Sequence, residues 1–229
     1  MTTVLLPTAL PGTSSPVDYC ALPHLSNSDL TCLRDEQLGG FKAIQPLAQP
    51  QIIGAVVSQL LPDRSPARLV PGQAGGGISL LESLRHDPFC GRYLRQAERN
   101  RVVLFTDPAT GLACKARLDV VHTSPKRQNA LILDVKTTNA RTQAQFLQSC
   151  YALDYDRQAA FYLDSLRLAD TGEWQTTKRF QFVFIGVNQQ APQRLFVVEA
   201  TSLPGFVEYG RKKYRFWLRK WQETNGLPD

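Results

Sequence analysis

Three histidines, one methionine and five cysteines are all that the 229 residues offer a soft metal. The cysteines (20, 32, 90, 114 and 150) are odd in number and contain no Cys-x-x-Cys pair, which speaks against a disulfide framework or a zinc ribbon. His24, His86 and His122 show neither HxxxH nor HxH spacing, so zinc hydrolase chemistry is excluded as well. Long apolar runs are missing too. The longest, Ile52–Leu61, falls far short of the roughly 20 residues that span a bilayer. The opening Met1-Thr-Thr-Val-Leu-Leu-Pro has no positive n-region, and Pro7 and Pro11 interrupt it, so a cytoplasmic protein with no membrane association is expected. Gly75–Gly77 is not followed by Gly-Lys-Ser/Thr, which rules out a P-loop.

What is present is a chain able to build a core. Hydrophobic residues make up 43% and aromatic ones 9%, against only 20% charged, a balance unlike that of a disordered chain. The net charge of +6 is unevenly placed. Residues 1–114 carry nine basic and nine acidic residues, whereas residues 115–229 carry seventeen against eleven. Six of those cations lie in Arg211-Lys-Lys-Tyr-Arg-Phe-Trp-Leu-Arg-Lys220, which contains no acid. Such a segment suits a polyanion, and nucleic acid is the commonest. It is expected to border the nucleic-acid path.

Texture divides the chain. Residues 1–77, which hold most of the prolines, read as an irregular Pro/Gly-rich region with short helices near Leu25–Leu33 and Ile52–Leu61. Ser26 and Asp29 form a capping pair for the first of these. Residues 78–229 read as regular. The pattern predicts a helix over Ile78–Ala97 broken near Asp87-Pro88, then strands at Arg101–Phe105, Ala113–Val121 and Leu131–Val135. Helices follow at Phe146–Cys150 and Asp156–Leu168, strands at Phe180–Val187 and Arg194–Glu199, and a helix at Phe206–Gln222. That last helix places Val207, Tyr214, Trp217 and Trp221 on one stripe. The class is α/β (α+β), a central mixed sheet flanked by helices.

The chemistry concentrates on two strands. Asp119 closes Cys114-Lys-Ala-Arg-Leu-Asp119, and Asp134 and Lys136 stand two apart in Leu131-Ile-Leu-Asp-Val-Lys136, hence on one strand face. Ionised groups at the end of such an apolar strand need a partner or a metal. Two carboxylates with the carbonyl of Val135 form a hard oxygen site suited to Mg²⁺. Lys136 could orient a water or stabilise charge on a phosphodiester. An ordinary Asp–Lys salt bridge is the competing reading. Gln158 and Tyr162, one turn apart on a helix, could hydrogen-bond substrate or simply pack.

The run Thr106–Asp119, then Leu133-Asp-Val-Lys-Thr-Thr138, then Tyr155-Asp-Arg-Gln-Ala-Ala-Phe-Tyr162 resembles the PD-(D/E)xK nuclease superfamily, within it the RecE-type exonuclease (exodeoxyribonuclease VIII-like) domain. The resemblance implies a restriction-endonuclease-like core over residues 78–229. It implies Asp119, Asp134 and the Val135 carbonyl as metal ligands, Lys136 as the catalytic lysine, and Gln158 and Tyr162 as the QxxxY motif of the RecB-like branch. Its activity would be Mg²⁺-dependent digestion of linear double-stranded DNA from the 5′ end, with Mn²⁺ able to substitute. A single-strand annealing protein, a homo-oligomer and a role in phage or prophage DNA recombination go with that likeness. Cysteines that would hold an iron–sulfur cluster after the QxxxY helix are missing, so none is expected. The pattern departs from the family where Gly54-Ala-Val-Val-Ser58 carries serine at the place of a helix histidine. Glu82 or Glu98 is the candidate further acid.

Arg117, Lys115 and Thr137 near the site, and Arg211, Lys212 and Arg215 on the last helix, are candidates for DNA contact. Two alternatives accompany the exonuclease reading: an endonuclease of defence or mobile-element processing, and a catalytically silent module that binds DNA ends or a partner.

Overall fold

The structure, a computed structural model, describes residues 19–39, 84, 86–94, 97–124, 126, 128–172, 174–188 and 194–225. Its elements run α1 (Asn27–Gln37), α2 (Pro88–Leu94), β1 (Glu98–Thr106), β2 (Ala113–Ser124), β3 (Asn129–Thr138), α3 (Gln143–Ala152), α4 (Tyr155–Arg167), β4 (Arg179–Asn188), β5 (Leu195–Glu199) and α5 (Phe206–Asn225). The expected helix at Ile52–Leu61, together with Glu82 and Ser58, lies outside the described residues.

The strands form one sheet in the order β1-β2-β3-β4-β5. Every neighbouring pair is antiparallel except β3 and β4, which α3 and α4 connect as a parallel crossover. β3 is covered on both faces, which explains its unbroken apolar run from Ala130 to Leu133. One face carries α4 with Phe105, Leu118, Phe161 and Phe182, and the other carries α2 with Leu133, Val135 and Ile185. Full burial stabilises each such side chain by about 1.5–3 kcal/mol.

Two pieces of local chemistry match the sequence. Ser26 and Asp29 make the reciprocal capping box of α1. The aromatic stripe of α5 points inward, with Tyr214 and Leu218 fully buried and Trp217 half-buried. α5 does not lie on the sheet. It packs on α4 and α1, so α4 stands between it and the strands. Gly210 permits this approach, because a Cβ there would collide with the carbonyl of Asp156.

The α4–α5 contact is also ionic. Asp164 accepts from Arg211 (Nε, 2.6 Å; Nη2, 2.8 Å) and from the Tyr214 hydroxyl at 2.7 Å. Asp154, in the left-handed region at φ 55°, joins α3 to α4 and pairs with Arg34 of α1 and Lys213 of α5.

Candidate active site

β2 pairs with β3 only from Val120 to Ser124, while among the strands residues 113–118 pair with β1 alone. Asp119 sits where the strands part. Opposite it on β1 stands Asn100, in the left-handed conformation at φ 49°. The sheet face presented by β2 changes here: Ala116 and Leu118 face α4, whereas Val120 packs with Leu133 on the other side. The gap between β2 and β3 is therefore a fork with a carboxylate at its base.

Asp134 and Lys136 project from β3 toward α4, as their two-residue spacing requires. Asp134 is only 2% exposed, so its charge needs partners. Lys136 Nζ lies 2.7 Å from Oδ1, and Gln158 Nε2 donates to Oδ2 at 2.8 Å. Burial works against the Lys136 ammonium, yet Asp134, Tyr155 and Asp119 together outweigh it and raise its pKa. Asp119 is pushed up to about 7, by burial first and then by the charge of Asp134, against Lys136 and Arg117.

The carboxylate of Asp134 thus acts on that of Asp119 across the fork. A hard divalent cation relieves this conflict, and the donor set, two carboxylates and the nearby Val135 carbonyl, is of the oxygen type that Mg²⁺ or Mn²⁺ accepts with water completing the shell. The residues present fit such an ion. Among the described residues no group of three acids, histidines or cysteines converges, so Glu98 does not join the two aspartates. It is exposed, 3.5 Å from Arg101.

The remaining candidates separate clearly. Tyr162 is half-buried, its pKa raised by burial, and it hydrogen-bonds Gln158. Thr137 is buried next to Lys136 in sequence, where alternation turns it to the other face of β3. Arg117 is exposed two residues before Asp119, with its guanidinium 5.2 Å from the ring centre of Tyr19. Lys115 departs from the expectation of a phosphate contact. Its ammonium donates to the carbonyls of Tyr19 (2.9 Å) and Leu22 (2.8 Å), which ties residues 19–25 to β2. Leu25 then bridges Cys114 on the edge of β2 that β3 has left. Arg211 departs likewise, through its fork on Asp164, whereas Lys212 is exposed and Arg215 lies over the Tyr214 ring.

Tyr155 is a further member of the site, not among the residues expected there. Its ring lies 5.1 Å from Lys136 Nζ and stacks on Phe184. Its place three residues before Gln158 on one helix face was the available signal.

The fold is shared with a known protein. The crystal structure of a "putative exonuclease" from Eubacterium rectale superposes with a TM-score of 0.60 at 10% identity, covering 90% of this chain and 83% of that one. The structure of SSO0001 superposes with a TM-score of 0.40 at 14% identity, covering 87% and 76%. No curated protein matches the sequence. The five-stranded mixed sheet flanked by helices is the α/β arrangement of PDDEXK-like nucleases. A family model for this class matches residues 77–224, well over half of the chain. With its two aspartates and lysine gathered at a strand fork, the protein belongs to the family described as PDDEXK-like domain of unknown function (DUF3799).

Proposed function

We propose that the protein is a Mg²⁺-dependent deoxyribonuclease that hydrolyses phosphodiester bonds at the ends of linear double-stranded DNA. The observation that carries this reading is the double grip on Asp134, with Gln158 on one oxygen and Lys136 on the other, opposite Asp119 at the fork. A cation held by Asp119, Asp134 and the Val135 carbonyl would neutralise phosphate charge and acidify a water. Gln158 fixes the carboxylate plane of Asp134, so that its free lone pairs keep one direction. Lys136 brings a positive charge to the same point, where it can orient the attacking water and balance charge on the phosphate. Tyr155 supports that ammonium from below. Arg117, exposed beside Asp119, is placed to meet a flanking phosphate.

Attack from the 5′ end, homo-oligomerisation and cooperation with an annealing protein in DNA recombination belong to this proposal through the family resemblance. A second reading, a silent DNA-end-binding module, draws on one observation: among the described residues no third acid joins the pair.

Incubation of 5′-labelled linear duplex and covalently closed circular DNA with Mg²⁺, with EDTA and with Lys136→Ala separates these readings. Loss of the linear DNA alone, abolished by EDTA and by the variant, supports the exonuclease. Cutting of the circle assigns an endonuclease. Metal-independent binding with no loss of either substrate leaves the silent module.

A further inference from the structure

The outward face of α5 is not used by the catalytic fork, and α4 lies between them. Two large aromatic side chains stand out on it: Tyr209 is 58% exposed and Phe216 is 45% exposed. They are seven residues apart, two helical turns, so they share one face about 10 Å apart along the axis. An exposed ring costs solvation unless a partner covers it.

The same face is cationic. Lys212 and Arg219 are exposed and have no ion-pair partner among the described residues. Lys213 Nζ lies 4.9 Å from the centre of the Tyr209 ring, and Lys220 Nζ lies 6.0 Å from that of Phe216. Lys213 is also held by Asp154 and Asp156, and Lys220 by Glu223 at 2.6 Å. Cations beside exposed rings are what a strand of unpaired bases requires: flat faces for stacking and positive charge for the backbone. Rings and arginine suit a protein interface as well, but lysine is depleted there, and Lys212, Lys213 and Lys220 all lie beside these rings, which favours a nucleic acid. Duplex DNA, whose bases are already stacked, would leave the rings unused.

We propose that this face is a second nucleic-acid site, which takes single-stranded DNA by stacking bases on Tyr209 and Phe216 while Lys212 and Arg219 meet the phosphates. The proposal extends the nuclease reading: the strand that remains after the fork has degraded its complement is the natural occupant. Its basis, exposure and charge on α5, is independent of any chemistry at Asp134.

The test is binding of 5′-fluorescein-labelled dT20, followed by fluorescence anisotropy in EDTA so that no cleavage intervenes. The chain is compared with Tyr209→Ala/Phe216→Ala and with Phe216→Trp. The expected result is a loss of roughly tenfold or more in affinity for the double variant, from base stacking on the rings. Phe216→Trp retains binding. Circular dichroism of the double variant checks that it folds. If the folded double variant binds dT20 as well as the unaltered chain, or if no variant and no parent binds it, the proposal is overturned. Failure of the nuclease reading looks different: dT20 is bound through Phe216 while linear duplex survives in Mg²⁺. An opposite outcome, digestion of duplex without ring-dependent dT20 binding, retains the nuclease and removes the second site.

Discussion

The carboxamide of Gln158 donates to Oδ2 of Asp134 at 2.8 Å, reaching from α4 onto β3 across 24 residues of sequence. The bond sets which way a buried carboxylate faces. Partners that orient a metal-binding carboxylate typically govern affinity by about 10–100-fold. Gln158→Leu is accordingly expected to weaken Mn²⁺ binding by roughly that factor, measured by titration calorimetry. Equal affinity in the variant would assign Gln158 to packing alone.

Lys115 and Arg117 lie two residues apart on one strand yet are expected to behave differently. Lys115→Met leaves the carbonyls of Tyr19 and Leu22 without their donor and should cost about 1–3 kcal/mol. Urea denaturation reads this, and faster proteolysis within residues 19–25 accompanies it. Arg117→Ala should leave stability alone and reduce the salt slope of DNA binding by about one. Reversal of the two phenotypes would return Lys115 to the DNA path.

Alanine usually improves a helix interior over glycine by about 1 kcal/mol. At Gly210 the sign should invert, because the added Cβ meets the Asp156 carbonyl and drives α5 off α4. A destabilisation of roughly 1–3 kcal/mol is expected for Gly210→Ala in thermal denaturation. Stabilisation would show that the two helices do not approach this closely.

Against the upward pull of burial, Arg211 and Tyr214 hold the Asp164 carboxyl below its ordinary value of 3.8. A carboxylate depressed by folding contributes stability above that ordinary value and loses it as pH falls toward the lower, folded one. Asp164→Asn removes the acidic member of a pair whose Arg211 is part-exposed, and should cost about 1–3 kcal/mol at pH 7. The gap between the variant and the parent should narrow below about pH 4. Urea midpoints at pH 7 and pH 3 check both statements, and a constant gap contradicts the ion-pair account.

Much of the frame could be read from residue patterns, because strand alternation and helical stripes are local. Strands expected at Arg101–Phe105, Ala113–Val121 and Leu131–Val135 are present and longer, since pairing carries strands beyond their apolar centres. The Asp134–Lys136 face followed from a period of two. The fork did not, because it depends on where β2 stops pairing with β3, a matter of register between distant segments. Nor did the fate of individual cations. Composition counts charges in Arg211–Lys220, but not that Arg211 is spent on Asp164 or Lys213 on Asp154 and Asp156. Lys115 misled for the same reason: its partners lie over ninety residues upstream.

The parting of β2 from β3 leaves the far half of the β1–β2 hairpin without β3 on its edge, yet that half is not loose. Leu25 bridges Cys114, Phe105 bridges Ala169, and Gln222 of α5 reaches the Thr110 carbonyl at 3.5 Å. Phe105, Cys114 and Ala116 are buried in the same core as Phe161 of α4. The opening beside Asp119 is therefore propped from both sides, and its width is set by the core rather than by whatever enters it.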